Sequence, residues 1–132
     1  MAVALPVVSV LFTLLLVSGC SGGAPDTAAP PPATMGTAVA GADGVQSITV
    51  TGNAQMRFNP SMIKAKPGKL RITLHTTSGT PHDLEVLPSK INTGLVGQGQ
   101  QSSIEVALTS GRYDFVCTFH ETSNMVGVID VS

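Results

Sequence analysis

The sequence predicts an all-β sandwich of seven or eight strands, preceded by a disordered linker. Three observations predict it. From residue 45 onward, apolar and polar residues alternate in short segments; Gly, Pro, Asn and Ser punctuate those segments; and no window sustains a 3.6-residue period. With 132 residues, the chain has room for one folded domain.

The chain opens on an apolar run, Val7-Val8-Ser9-Val10-Leu11-Phe12-Thr13-Leu14-Leu15-Leu16-Val17. It is shorter than the roughly 20 residues that a bilayer span needs and suits the central region of an export signal. Leu16-Val17-Ser18-Gly19-Cys20 follows, an aliphatic residue, two small ones and a cysteine, which resembles the lipobox of bacterial lipoproteins. The resemblance implies a signal peptide over residues 1–19, lipidation of Cys20, and attachment to the outer face of the bacterial plasma membrane by two acyl chains. The segment before the apolar run, Met1 to Pro6, contains no Lys or Arg, a departure from the usual basic start.

Residues 20–44 are almost all Ala, Gly, Pro, Ser and Thr, with only Asp26 and Asp43 charged. So little apolar surface cannot offset the entropy of ordering, and the expectation is a disordered tether. The folded domain is expected over residues 45–132. Its strands are expected at residues 45–51, 55–58, 62–65, 69–76, 82–87, 102–108, 112–118 and 125–131, separated by turn signals such as Asn59-Pro60, Lys66-Pro67-Gly68 and Ser110-Gly111. A sheet with one apolar face must bury it against another, hence a sandwich. Such a core is small, so a bound metal would help to stabilise it.

Strand alternation places the chemistry. His82, Leu84 and Val86 share one face, with Asp83 and Glu85 on the other; Tyr113, Phe115 and Cys117 share the inward face of a later strand. Met125, Ile129 and Val131 take the apolar face of the last one, and the short loop after Cys117 returns His120 to the same end. His75 falls on the outward face with Arg71 and Thr73 and is left out. One thiolate, two imidazoles and a thioether form the donor set of a trigonal blue-copper site with a weak axial methionine. Zinc fits poorly, because methionine is not among its usual ligands.

The spacing makes a resemblance specific. Cys117-Thr118-Phe119-His120-Glu121-Thr122-Ser123-Asn124-Met125 is similar to the ligand loop of plastocyanins and pseudoazurins; Gly111-Arg112-Tyr113-Asp114-Phe115-Val116 before it and Gly79-Thr80-Pro81-His82-Asp83-Leu84 upstream resemble the cupredoxin segments around the same site. The resemblance covers residues 45–132 and implies a Greek-key sandwich holding one type 1 copper on His82, Cys117, His120 and Met125. Many family members have Asn where Asp83 stands. An ionised Asp83 can only accept hydrogen bonds, with Thr118 the expected donor, and its charge favours Cu(II) and lowers the potential. Phe119 stands where proline is common; its N–H, if it reaches the Cys117 sulfur, raises the potential.

Formal charge is −1 overall, with 7 basic and 8 acidic residues, which gives no sign of nucleic-acid binding. A long tether and the inward address of Cys117 argue against a Cys20–Cys117 disulfide. No motif for catalysis is found, and the thiol lacks the cationic or helix-terminal setting of a nucleophile. The reading is a non-enzymatic, monomeric copper protein, and the resemblance implies that it shuttles single electrons between membrane-associated redox partner proteins docking near His120. The alternative is an extracytoplasmic lipoprotein for copper buffering, delivery or resistance.

Overall fold

The structure, a computed structural model, describes residues 31–132. The expected signal peptide, Cys20 and the first part of the tether lie outside the described residues. Among the described residues, eleven strands form two facing sheets. They are β1 (Met35–Thr37), β2 (Val39–Ala40), β3 (Gln46–Gly52), β4 (Phe58–Asn59), β5 (Met62–Ala65), β6 (Gly68–Thr76), β7 (Glu85–Val86), β8 (Ile91–Asn92), β9 (Gln101–Leu108), β10 (Gly111–Val116) and β11 (Val126–Val131). One sheet runs β1-β5-β11-β10-β7-β8, the other β2-β3-β6-β9 with β4 beside β3. After β5 the chain crosses repeatedly from one sheet to the other, as a Greek-key sandwich requires.

Period-two burial explains the pairing. Leu70, Ile72, Leu74 and Thr76 of β6 are buried while Arg71, Thr73 and His75 between them are half-exposed, so His75 does face away from the core. Opposite them, Ile63 of β5, Phe115 of β10 and Ile129 of β11 are fully buried. The rings of Phe58 and Phe115 pack tilted with centroids 5.1 Å apart. Gly127 is required next to them, because a Cβ there would enter the Phe115 ring.

All eight expected segments contain a strand, and β1, β2 and β8 are additional. β1 and β2 correct the tether reading, since residues 35–40 were expected to be disordered. Composition misleads here because main-chain groups do the pairing: β1 lies parallel to β5, and Thr34 exchanges hydrogen bonds with Ser61 and Met62 at 2.8–3.1 Å. Small side chains suit the position. A Cβ on Gly36 would come 2.6 Å from Pro60 Cγ.

Two further expectations need correction. Residues 55–57 form a turn, with Met56 in the left-handed region at φ 54°, and only Phe58 of the expected strand enters the ladder. Asp83, expected on the outward face, is 2% exposed. Its burial is possible because hydrogen-bond donors surround it.

Candidate metal centre

Three turns at one end of the sandwich bring the donor residues together. His82 forms an isolated bridge with Val96, its N–H to Val96 O at 3.1 Å and Val96 N–H back to it at 2.7 Å. Cys117 directly follows β10, and Met125 directly precedes β11. The loop between them closes on itself: Cys117 N–H donates to Met125 O at 3.0 Å, His120 N–H to Cys117 O at 3.0 Å, and Met125 N–H to His120 O at 3.2 Å. A single 3-10 turn, Glu121–Ser123, and a left-handed Asn124 reverse the chain inside it. Asparagine tolerates that conformation better than most residues.

His82, Cys117 and His120 each point one ligand atom into a common space, all within 4.8 Å of one another. His82 Nδ1 lies 3.3 Å from His120 Nδ1, and the Cys117 sulfur lies 3.2 Å from His120 Nδ1 and 4.0 Å from His82 Nδ1. Donors bonded to one metal at about 2.0–2.3 Å in a trigonal plane stand about 3.5–3.8 Å apart, so the triangle is of the right size. The orientation is right as well. His82 Nε2–H donates to Asn53 O at 3.0 Å, which leaves Nδ1 as a lone pair facing inward. At these separations the three atoms can share a single cation. Met125, fully buried at the end of the same loop, completes a set that suits copper: soft thiolate and thioether with two imidazoles.

Gly52 is packed against this cluster, and a Cβ there would fall 2.7 Å from His82 Cδ2. Around the donors, Asp83 binds the two ligand segments to each other. Its Oδ1 accepts from Thr118 N–H at 2.7 Å, and its Oδ2 accepts from the Thr118 hydroxyl at 2.6 Å and from Asn92 Nδ2 at 2.8 Å. Thr118 is thus a double donor. Asn92 was not singled out from the sequence, since β8 gave too short a pattern to read; its signal was only the Asn92-Thr93-Gly94 turn, where Gly94 N–H donates to Asn92 Oδ1 at 2.7 Å.

The electrostatics follow from burial. Desolvation would raise the Asp83 carboxyl, but the hydrogen bonds from Asn92 and Thr118 outweigh it and hold the group below its ordinary 3.8. Burial pushes the Cys117 thiol above its ordinary 9.0, although the backbone N–H groups of Asp83 and Phe119 act on it in the opposite direction. Phe119 itself is 63% exposed, beside a half-buried His120. The His82 ring is held below 6.5, first by desolvation and then by repulsion from His120, against the opposing pull of the Asn53 carbonyl and Asp83.

The His82 shift has a measurable consequence. As pH falls below 6.5 the unfolded chain binds a proton at this residue while the folded one resists until a lower pH. The contribution of His82 to the stability of the metal-free protein is therefore fully present above that value and is lost as the solution is acidified. Thermal unfolding at about pH 7.5 and about pH 5.5 checks this, with a lower Tm expected in the acidic sample. An unchanged Tm would contradict a desolvated His82.

A family model for the cupredoxin-like domain matches residues 11–131. Among solved structures, the chain is similar to the metal-binding domain of the Streptococcus pneumoniae D39 Cu(I)-exporting P-type ATPase CopA, at 18% identity and TM-score 0.64 over 76% of this chain and 98% of that one. It is also similar to auracyanin from the photosynthetic bacterium Roseiflexus castenholzii (16% identity, TM-score 0.57, 65% of this chain and 96% of that one). Amicyanin is a third, at 23% identity and TM-score 0.53 over 64% of this chain and 81% of that one. No curated protein matches the chain. Family match, sandwich and donor set agree, and the chain belongs to the cupredoxin-like domain family, with a type 1 copper site formed by His82, Cys117, His120 and Met125.

Proposed function

We propose that the protein carries single electrons between membrane-associated redox partners outside the cytoplasm, held at the membrane by a lipid on Cys20. The supporting observation is the convergence of His82 Nδ1, His120 Nδ1 and Cys117 Sγ within 4.8 Å, on segments held by backbone hydrogen bonds, His82 to Val96 and Cys117 to Met125. When bound, copper supplies the one-electron change between Cu(II) and Cu(I). The protein's part is to keep the donors in place, so that neither oxidation state rearranges them, and to keep water away from a fully buried His82, Cys117 and Met125. Electrons enter and leave where the shell is thinnest, at half-buried His120 beside exposed Phe119, and partners dock there. Cys117 is fully buried, so its sulfur is out of reach of an attacked substrate, which supports a carrier rather than an enzyme.

Similarity to the metal-binding domain of a Cu(I) exporter favours a second reading, copper buffering, delivery or resistance with the same ligands. Adding Cu(II) to the purified protein separates the two. An intense blue colour and reversible one-electron voltammetry are expected of the carrier, whereas a colourless complex formed only with Cu(I) would establish the copper-handling reading in its place. The anchor is tested separately. Cys20→Ala is expected to shift the protein from the membrane fraction to the soluble one, and a variant that stays in the membrane fraction would contradict lipidation at Cys20.

A further inference from the structure

The turn at residues 53–57 touches both halves of the metal centre, although it contributes no ligand. Asn53 organises it: its side-chain oxygen accepts from Gln55 N–H and Arg57 N–H, both at 3.0 Å, and its main chain pairs with Arg57 O and Met56 N, both at 3.2 Å. From this frame the Asn53 carbonyl holds His82 Nε2 at 3.0 Å. Arg57 reaches the other way. Its Nη1 lies 2.7 Å from Ser123 O and 3.3 Å from Asn124 O, and also 2.9 Å from Met56 O in its own turn.

Ser123 and Asn124 end the 3-10 turn of the ligand loop, and among the described residues no backbone N–H donates to either carbonyl. Such terminal carbonyls need a donor, and a guanidinium is the strongest available. Asn124 is also the residue immediately before Met125, held in a left-handed conformation that has no other side-chain support among the described contacts.

We infer that Arg57 is a positioning residue for the copper site: it fastens the His120–Met125 loop to the turn that orients His82, so that the two ligand segments are coupled by a second link besides Asp83–Thr118. Thr118 joins Asp83 just after Cys117, and Arg57 joins Asn53 just before Met125, so each end of the ligand loop is tied to the His82 side by its own bridge. Without Arg57 the Met125 end is free to swing, which weakens grip on copper and changes the ligand field. The inference rests on the reading of His82, Cys117, His120 and Met125 as copper ligands.

The test uses the full chain in wild-type, Arg57→Ala, Arg57→Gln and Arg112→Ala forms, the last removing an exposed arginine at the far end of β10. Cu(I) affinity is measured by competition with a chromogenic chelator, and the visible spectrum of the Cu(II) form is recorded. Arg57→Ala is expected to bind Cu(I) roughly tenfold more weakly with an altered spectrum, Arg57→Gln to lose less in the same direction, and Arg112→Ala to match wild type. Affinity within about twofold of wild type and an unchanged spectrum in Arg57→Ala would overturn the inference, as would the same result in Arg57→Gln should the alanine variant not fold. An equal loss in Arg112→Ala would overturn it too. If the wild-type protein takes up no copper, the ligand reading itself falls, and the inference with it.

Discussion

Cys117→Ser is expected to abolish the intense visible absorption of the copper-loaded protein and to lower copper affinity by more than the 10–100-fold typical of changes behind the ligands. The sulfur lies 3.2 Å from His120 Nδ1 and 4.0 Å from His82 Nδ1, so it forms one corner of the donor triangle. Serine is close in size, and the fold is expected to persist because Cys117 is held by its backbone, donating to Met125 O and accepting from His120 N–H. What disappears is the soft, charge-donating ligand, without which the remaining imidazoles and thioether bind copper in a different field. Titration with Cu(II), followed by absorption, reads both effects. A serine variant as blue as the wild type would contradict the assignment of the thiolate.

The second large effect is expected at Asp83. Asp83→Ala removes the acceptor for Thr118 N–H, the Thr118 hydroxyl and Asn92 Nδ2 in a site only 2% exposed, leaving up to three donors without a partner. Each such buried donor costs about 1–3 kcal/mol, and because a hydroxyl can turn elsewhere, a net loss of about 3 kcal/mol is expected in chemical unfolding. Asp83→Asn separates charge from shape. It keeps one acceptor but loses the negative charge that favours Cu(II), and a unit charge at several ångströms in an effective dielectric near 20 is worth about 2 kcal/mol. Converted for one electron, the reduction potential rises by on the order of 100 mV. Voltammetry of the two forms checks the sign; an unchanged or lower potential in the asparagine variant would show that Asp83 is not electrostatically coupled to the metal.

Much of the site was legible because strand alternation and loop spacing are properties of neighbouring residues. Tyr113, Phe115 and Cys117 fall on one face in the sequence and progress from half-buried to buried in the structure, and the inward placement of His82, Leu84 and Val86 follows from the same rule even though only Glu85 and Val86 join the ladder. What escaped the sequence is whatever depends on distant main-chain groups. β1 pairs with β5 through backbone bonds that need no large side chains, so a Gly- and Thr-rich stretch reads as tether until Ser61 and Pro60 are seen beside it. The His82 ring is oriented by a carbonyl 29 residues earlier, and Arg57 acts on carbonyls 66 and 67 residues later. A carbonyl leaves no mark on residue type. Asp83 shows a related limit: alternation assigned it outward, and only the donors on Thr118 and Asn92 explain why a carboxylate can be buried there.

A crystal of the copper-loaded protein, with diffraction recorded on both sides of the copper absorption edge, addresses the account most directly. The account requires one strong anomalous peak per chain, bounded by Nδ1 of His82, Nδ1 of His120 and the sulfur of Cys117, with the Met125 thioether approaching along the axis. A peak bound elsewhere on the chain, or one from which any of the first three atoms is absent, would contradict it.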